Sequence, residues 1–172
     1  MEVMEAIRKR RSIRRYAPDP IPDEKLNVIL EAARLAPTAC NYQPFRLIVV
    51  RDAATRRRLV SACAGQAFIA EAPVVIVGCA FEDRAYQRQA GSYSSFAIDL
   101  SIVLDHLTLA AIDQGLGTCW IGAFDEQAVR QVVGVPQEVR VVALTPLGVP
   151  AESPRMPPRK DIGELVCYDK WR

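Results

Sequence analysis

Apolar residues recur along this chain with two different periods, and the switches between them outline its elements. Val3, Met4 and Ile7 fall at helical spacing within Met1 to Arg10, with Glu2 and Glu5 early and basic side chains late, the order a helix dipole favours. Pro18-Asp19-Pro20-Ile21-Pro22 cannot continue a helix. Asp23 then reads as an N-cap, and Leu26, Ile29, Leu30 and Ala33 predict a second helix that ends before Pro37. Arg46 to Arg51 (RLIVVR) predicts a short strand, Asp52 to Cys63 a helix capped by Asp52, and Gly65 to Glu71 a short helix or turn. Pro73 to Phe81 (PVVIVGCAF) is a β-branched run that predicts a buried strand, followed by a polar, irregular stretch from Glu82 to Gly91.

Ser94 to Gln114 is the longest pattern. Phe96, Ile98, Leu100, Ile102, Val103, Leu104, Leu107, Leu109, Ala110 and Ile112 leave little polar face. Asp99, Asp105, His106 and Asp113 interrupt it too often for a membrane span. A helix apolar on most sides is central to a core or shared with a second subunit. Gly115-Leu116-Gly117 ends it, Thr118 to Gly122 reads as a short strand or extended loop, and Asp125 caps a helix through Val133. Val139 to Leu147 predicts a last strand. From Gly148 to Lys160 prolines are dense, and Ile162, Leu165, Val166 and Trp171 look like a tail that docks on something. Helices are grouped and strands separated, so the expected class is α+β: a small, mainly antiparallel sheet flanked by helices, in one domain over residues 1–172.

Composition narrows the partners. The 172 residues are half hydrophobic, enough for one sizeable core. Lys+Arg 22 against Asp+Glu 20 leaves a formal charge of +2, small for a protein that wraps nucleic acid over a broad face. The cations are concentrated instead, from Arg8 to Arg15 and again at Arg51, Arg56, Arg57 and Arg58, which suits a discrete anion site. The five cysteines are widely spaced, no CxxC occurs and His106 is the one histidine, so neither a structural zinc nor any other metal site is expected. With no apolar signal core near the N-terminus, a reduced, cytoplasmic protein is expected.

Three stretches carry candidate chemistry, each beside an ordinary structural reading. Lys9 to Tyr16 (KRRSIRRY) is either a solvated helix end or a phosphate clamp in which Arg10 and Arg14 bond two faces of a phosphate and Ser12 donates between them. Asn41 and Gln43, with Gln66 as a weaker third, are either turn residues or amides facing the edge of a planar heterocycle. Gly117 to Gly122 is either a helix end with an edge strand or backbone approaching a flat ligand. There is no P-loop, Gly115-x-Gly117 lacks the third glycine of a dinucleotide fingerprint, and nothing resembles a Ser/His/Asp or Cys/His arrangement.

Taken in order, the motifs resemble the flavin-dependent nitroreductase family: RRSIRRY after an N-terminal helix, APTACNYQPF before the first strand, APVVIVGCA, a long apolar helix into GLGTCWIGAFDE, TPLGVPAE and the terminal PPRK. The resemblance implies bound FMN, with NADH or NADPH as transient hydride donor. It places the phosphate and ribityl chain on Arg10, Arg11, Ser12 and Arg14. It brings Pro37, Thr38, Ala39 and Asn41 to the flavin across a dimer interface, with Gln43 beside them. It puts backbone N–H groups near the ring at Ile121 and Gly122, and closes Arg159 on the phosphate, with Lys160 next to it. It also implies an intertwined homodimer in which the tail, about residues 150–172, wraps the partner subunit. The implied reaction is ping-pong hydride transfer to an electron-poor acceptor, a nitroaromatic or quinone, with no catalytic side chain. Little room for a substrate lid remains between Glu82 and Gly91. The alternatives are a flavin-dependent dehydrogenase of a biosynthetic pathway, a non-catalytic flavin-binding protein, and a nucleic-acid module using Arg8 to Arg15.

Overall fold

The architecture was obtained as a computed structural model, which describes residues 1–171. Helices α1 (Val3–Lys9) and α2 (Asp23–Arg34) precede strand β1 (Phe45–Val50). Helices α3 (Ala53–Ala62) and α4 (Phe68–Glu71) lead to β2 (Val74–Ala80), and the long α5 (Phe96–Asp113) to the two-residue β3 (Gly117–Thr118). Helix α6 (Glu126–Val133), β4 (Arg140–Gly148) and the single turn α7 (Ile162–Leu165) complete the order. The strands form one antiparallel sheet in the order β1-β2-β4-β3. The expected α+β class, with a small antiparallel sheet flanked by helices, is the one found.

Strand β2 explains its own composition. Every residue from Val74 to Ala80 is buried. Val74, Ile76 and Ala80 point into a core with α2 and α5, while Val75, Val77 and Cys79 point into a second core with Leu59 of α3 and Val129 of α6. Side chains alternate across a strand, so one covered on both faces must be apolar throughout. Gly78 lets α5 lie close on the sheet. A Cβ there would meet Leu100 Cδ2 at 3.1 Å, Leu104 Cδ1 at 3.2 Å and the Ala143 carbonyl at 3.2 Å.

The caps divide by their chemistry. Asp52 and Asp125 accept the backbone N–H of Thr55 (2.7 Å) and Ala128 (2.9 Å), as their spacing predicts. Asp23 does not cap α2. It lies inside the helix, Pro22 takes the N-cap position without a side-chain bond, and Asp23 pairs with Arg51 instead. None of the described helices is long and apolar enough to cross a membrane. The tail beyond Ser153 is exposed along nearly its whole length and leaves Ile162, Leu165, Tyr168 and Trp171 in solvent.

Candidate functional site

The basic stretch runs from the end of α1 as an extended segment laid beside β3. Ile13 donates its backbone N–H to Thr118 O (2.9 Å), and Ser12 bridges Thr118. Gly117 allows this approach, because a Cβ there would stand 2.6 Å from Ile13 Cγ1. Tyr16 is buried at the far end of the stretch and donates its hydroxyl to Ile13 O (2.7 Å), and burial pushes its phenol above its ordinary value. Ile13 and Tyr16 therefore face inward while the residues around them face a small cavity.

That cavity, about 180 Å³, is lined by Arg10, Arg11, Ser12, Arg14, Pro154, Arg155 and Pro157. Arg11 donates from Nη1 to the carbonyls of Arg8 and Arg10 (2.7 Å each), so its guanidinium is tied to the end of α1. No carboxylate pairs with the guanidinium of Arg10, Arg14 or Arg155 among the described residues. Three guanidinium groups without a carboxylate ion pair and one hydroxyl around so small a space are donors that could hold a phosphate. Cys119 lies behind it. Burial raises its thiol above the ordinary value, while Arg14, a hydrogen bond with Ser12 and Arg10 pull it back. The net direction is upward, so this environment disfavours the thiolate form.

Pro37 to Gln43 forms a separate structure. Residues Ala39–Asn41 make one 3-10 turn, and Cys40, Asn41 and Gln43 all adopt positive φ (51°, 56° and 51°). Three left-handed non-glycine residues need external support. Gln43 N–H donates to Thr38 Oγ1 (3.0 Å), and Gln43 Nε2 to the Asn41 carbonyl and side-chain oxygen (3.1 and 3.2 Å). The anchor is Asp99 on α5, a residue only 2% exposed, whose carboxylate accepts from Ala39 N–H (2.8 Å) and from the Ser95 hydroxyl (2.7 Å). The turn is thereby fixed to the first turn of the central helix, where the helix dipole favours a negative charge. Pro37, Thr38, Ala39, Asn41 and Gln43 do not line the arginine cavity.

The remaining expected residues fall in different places. Ile121 is buried, and its N–H is committed to Leu144 O (2.9 Å), so it is not a free donor to a ring. Its neighbour Gly122 is exposed with open space around it. Gln66 Nε2 donates to the carbonyls of Cys63 (2.9 Å) and Ala123 (3.2 Å), a structural use. Arg159 is exposed, 3.5 Å from the Pro157 carbonyl through Nη1, and Lys160 sits 3.9 Å from Glu164. The tail cation on the cavity is Arg155. Sequence reasoning passed over it because a lone arginine in a proline-rich run has no periodicity or motif.

These features define a small α+β domain with an arginine-lined cavity at its rim that could hold one anionic group. The pattern of the Nitroreductase family matches residues 7–71 and 60–149, and the chain belongs to that family. It is 39% identical to a Thermus thermophilus protein named NADH dehydrogenase, over 88% of each chain. It is 31% identical to an FMN reductase [NAD(P)H] of Bacillus subtilis, over 92% of this chain and 70% of that one. Among solved structures, a nitroreductase family protein from Clostridium difficile 630 superposes with a TM-score of 0.87 at 30% identity, covering 99% of this chain and 100% of that one.

Proposed function

We propose that the protein is an FMN-dependent oxidoreductase that draws hydride from NADH or NADPH and delivers it to an electron-poor small molecule, a nitroaromatic or a quinone. The observation that carries this reading is the cavity where Arg10, Arg14 and Arg155 meet around Ser12, with no carboxylate ion-paired to their guanidinium groups among the described residues. Family membership and the activities for which the Thermus and Bacillus relatives are named support the redox class.

The residues present fit a phosphate monoester. Bound FMN would supply the hydride chemistry. The chain's own part is to hold and orient it. Arg10 and Arg14 neutralise the phosphate, Ser12 donates its hydroxyl, and Arg11 stiffens the end of α1. Pro37, Thr38, Ala39, Asn41 and Gln43 meet the ring from a second copy of the chain, and Gly122 lets backbone approach it. Arg159 would reach a phosphate only once the tail closes on that second copy. No side chain is assigned a catalytic proton. One pocket serving donor and acceptor in turn gives ping-pong kinetics, read as parallel initial-velocity lines. The domain spans residues 1–172, works as a homodimer in the cytoplasm, and uses its tail from about residue 150 to wrap its partner.

The test is the visible spectrum of protein reconstituted with FMN, before and after anaerobic NADH or NADPH. A flavin spectrum that bleaches is expected. A protein that takes up no FMN sinks the reading. Replacing Arg14→Ala together with Ser12→Ala should weaken FMN binding, with about 1.5–3 kcal/mol lost for each charge-assisted contact removed.

A further inference from the structure

The chain beyond β4 does not leave the body at once. Ala17 donates its backbone N–H to Val149 O and Ala151 to Arg15 O, each at 2.9 Å, on either side of a bridge between Tyr16 and Pro150. One step further, Arg14 N–H donates to Glu152 Oε1 at 2.5 Å, joining positions 138 residues apart. Immediately after Glu152 the chain reaches Pro154 and Arg155, which with Pro157 form one wall of the cavity. The basic stretch forms the other.

A carboxylate beside an anion site looks like a liability, since its charge opposes a phosphate. Glu152 makes no ion pair with a guanidinium among the described residues. It is half-buried, and its bond goes to a backbone amide. Charge-assisted bonds of this kind are short and directional, so what Glu152 provides is position. It closes a ladder that is otherwise only two bonds long, at the point where the tail would turn into solvent.

Resting on the flavin reading above, we propose that Glu152 is a positioning residue of the phosphate cradle: it ties the tail to Arg14 and thereby holds Arg155 on the cavity as a further phosphate ligand. The consequence is selectivity. A cradle closed by Arg155 favours phosphorylated flavin over riboflavin, because the added cation acts on the phosphate alone.

The experiment measures FMN and riboflavin dissociation constants by flavin fluorescence quenching for the wild type, Glu152→Ala, Glu152→Gln, Arg155→Ala and the double variant Glu152→Ala/Arg155→Ala. Glu152→Ala and Arg155→Ala should each weaken FMN about tenfold, the loss of one charge-assisted contact, and leave riboflavin unchanged. Glu152→Gln keeps an oxygen for Arg14 N–H and should recover most of the affinity. The double variant should bind FMN about as well as either single one, because a displaced Arg155 has nothing left to lose. Wild-type affinity in Glu152→Ala overturns the proposal, as do equal losses for the two flavins or fully additive effects. Arg155 is exposed, so its variant reads the cradle even where Glu152→Ala fails to fold. A wild type with no preference for FMN over riboflavin overturns the phosphate reading itself, and this proposal with it.

Discussion

Asp99 shows how much one residue can carry without any mark in the sequence. Its carboxylate is buried with two donors, Ala39 N–H and the Ser95 hydroxyl, and through them it holds a turn with three left-handed residues. Removing it leaves an amide and a hydroxyl without partners. Asp99→Ala should therefore cost about 1–3 kcal/mol of stability, read from urea denaturation midpoints. Asp99→Asn keeps an oxygen for Ala39 and an amide that can donate to Ser95, and should retain the larger part of that stability. Equal losses for both would place the effect in the charge at the helix N-terminus rather than in the bonds. The sequence offered Asp99 only as an interruption in an apolar run, because its partner Ala39 lies 60 residues away. That Arg10, Ser12 and Arg14 share one cavity was legible because the three polar side chains stand within five consecutive residues. Arg155 and Glu152 were not, since what they touch is set by a ladder that no local pattern encodes.

Elements were more legible than contacts wherever burial alone dictates composition. Strand β2 stood out because both of its faces are covered, helix α5 because its apolar pattern runs past its buried face onto its outer side, and Asp52 and Asp125 because a cap is satisfied within three residues. Asp23 had the same spacing, yet Arg51 took its carboxylate. Long-range pairing of that kind also ties α6 to β4. Glu126 accepts from Arg130 Nη2 (2.9 Å), Arg140 Nε (3.1 Å) and Val141 N–H (2.9 Å), and Arg140 reaches on to Glu82 (2.9 Å). Burial alone would raise the Glu126 carboxyl. The bonds from Arg140 and Val141 and the charges of Arg140 and Arg130 outweigh it and hold the group below its ordinary 4.5. A carboxyl depressed on folding stabilises the fold above its unfolded value, and that contribution is lost as pH falls through the folded value. Wild-type stability should thus decline below about pH 4.5, with Glu126→Gln less stable at neutral pH and flatter across the same acid range. Melting temperatures between pH 3 and 7 read both, and parallel curves would remove Glu126 as a source of the acid sensitivity.

At the scale of the whole molecule, the apolar surface left over is too organised to be incidental. On the outer side of α5, Ala97, Ile98, Ser101, Ile102, Asp105 and His106 line a shallow groove of about 470 Å³. A second groove beside it is walled by Val3, Ala32, Leu35, Leu109 and Ala110. Val3, Leu35 and Ile98 are exposed there, Met4 and Ile7 of α1 are exposed as well, and the tail offers Ile162, Leu165, Tyr168 and Trp171. Apolar surface of this extent on a small chain suits the proposed homodimer, in which a second copy would supply both the face and the tail. In that proposed dimer, Pro37 to Gln43, which does not line the arginine cavity of its own chain, would complete the site of the other. Ile98→Arg places a charge in the middle of the face and tests both points together. The wild type should sediment at twice the 19.0 kDa chain mass. The variant should fall to a single chain and lose FMN, although every residue of the phosphate cavity is intact. A wild type that sediments as one chain removes the dimer from the proposal. A monomeric variant that still binds FMN at full strength assigns the whole flavin site to one copy, and Pro37 to Gln43 loses its place in it.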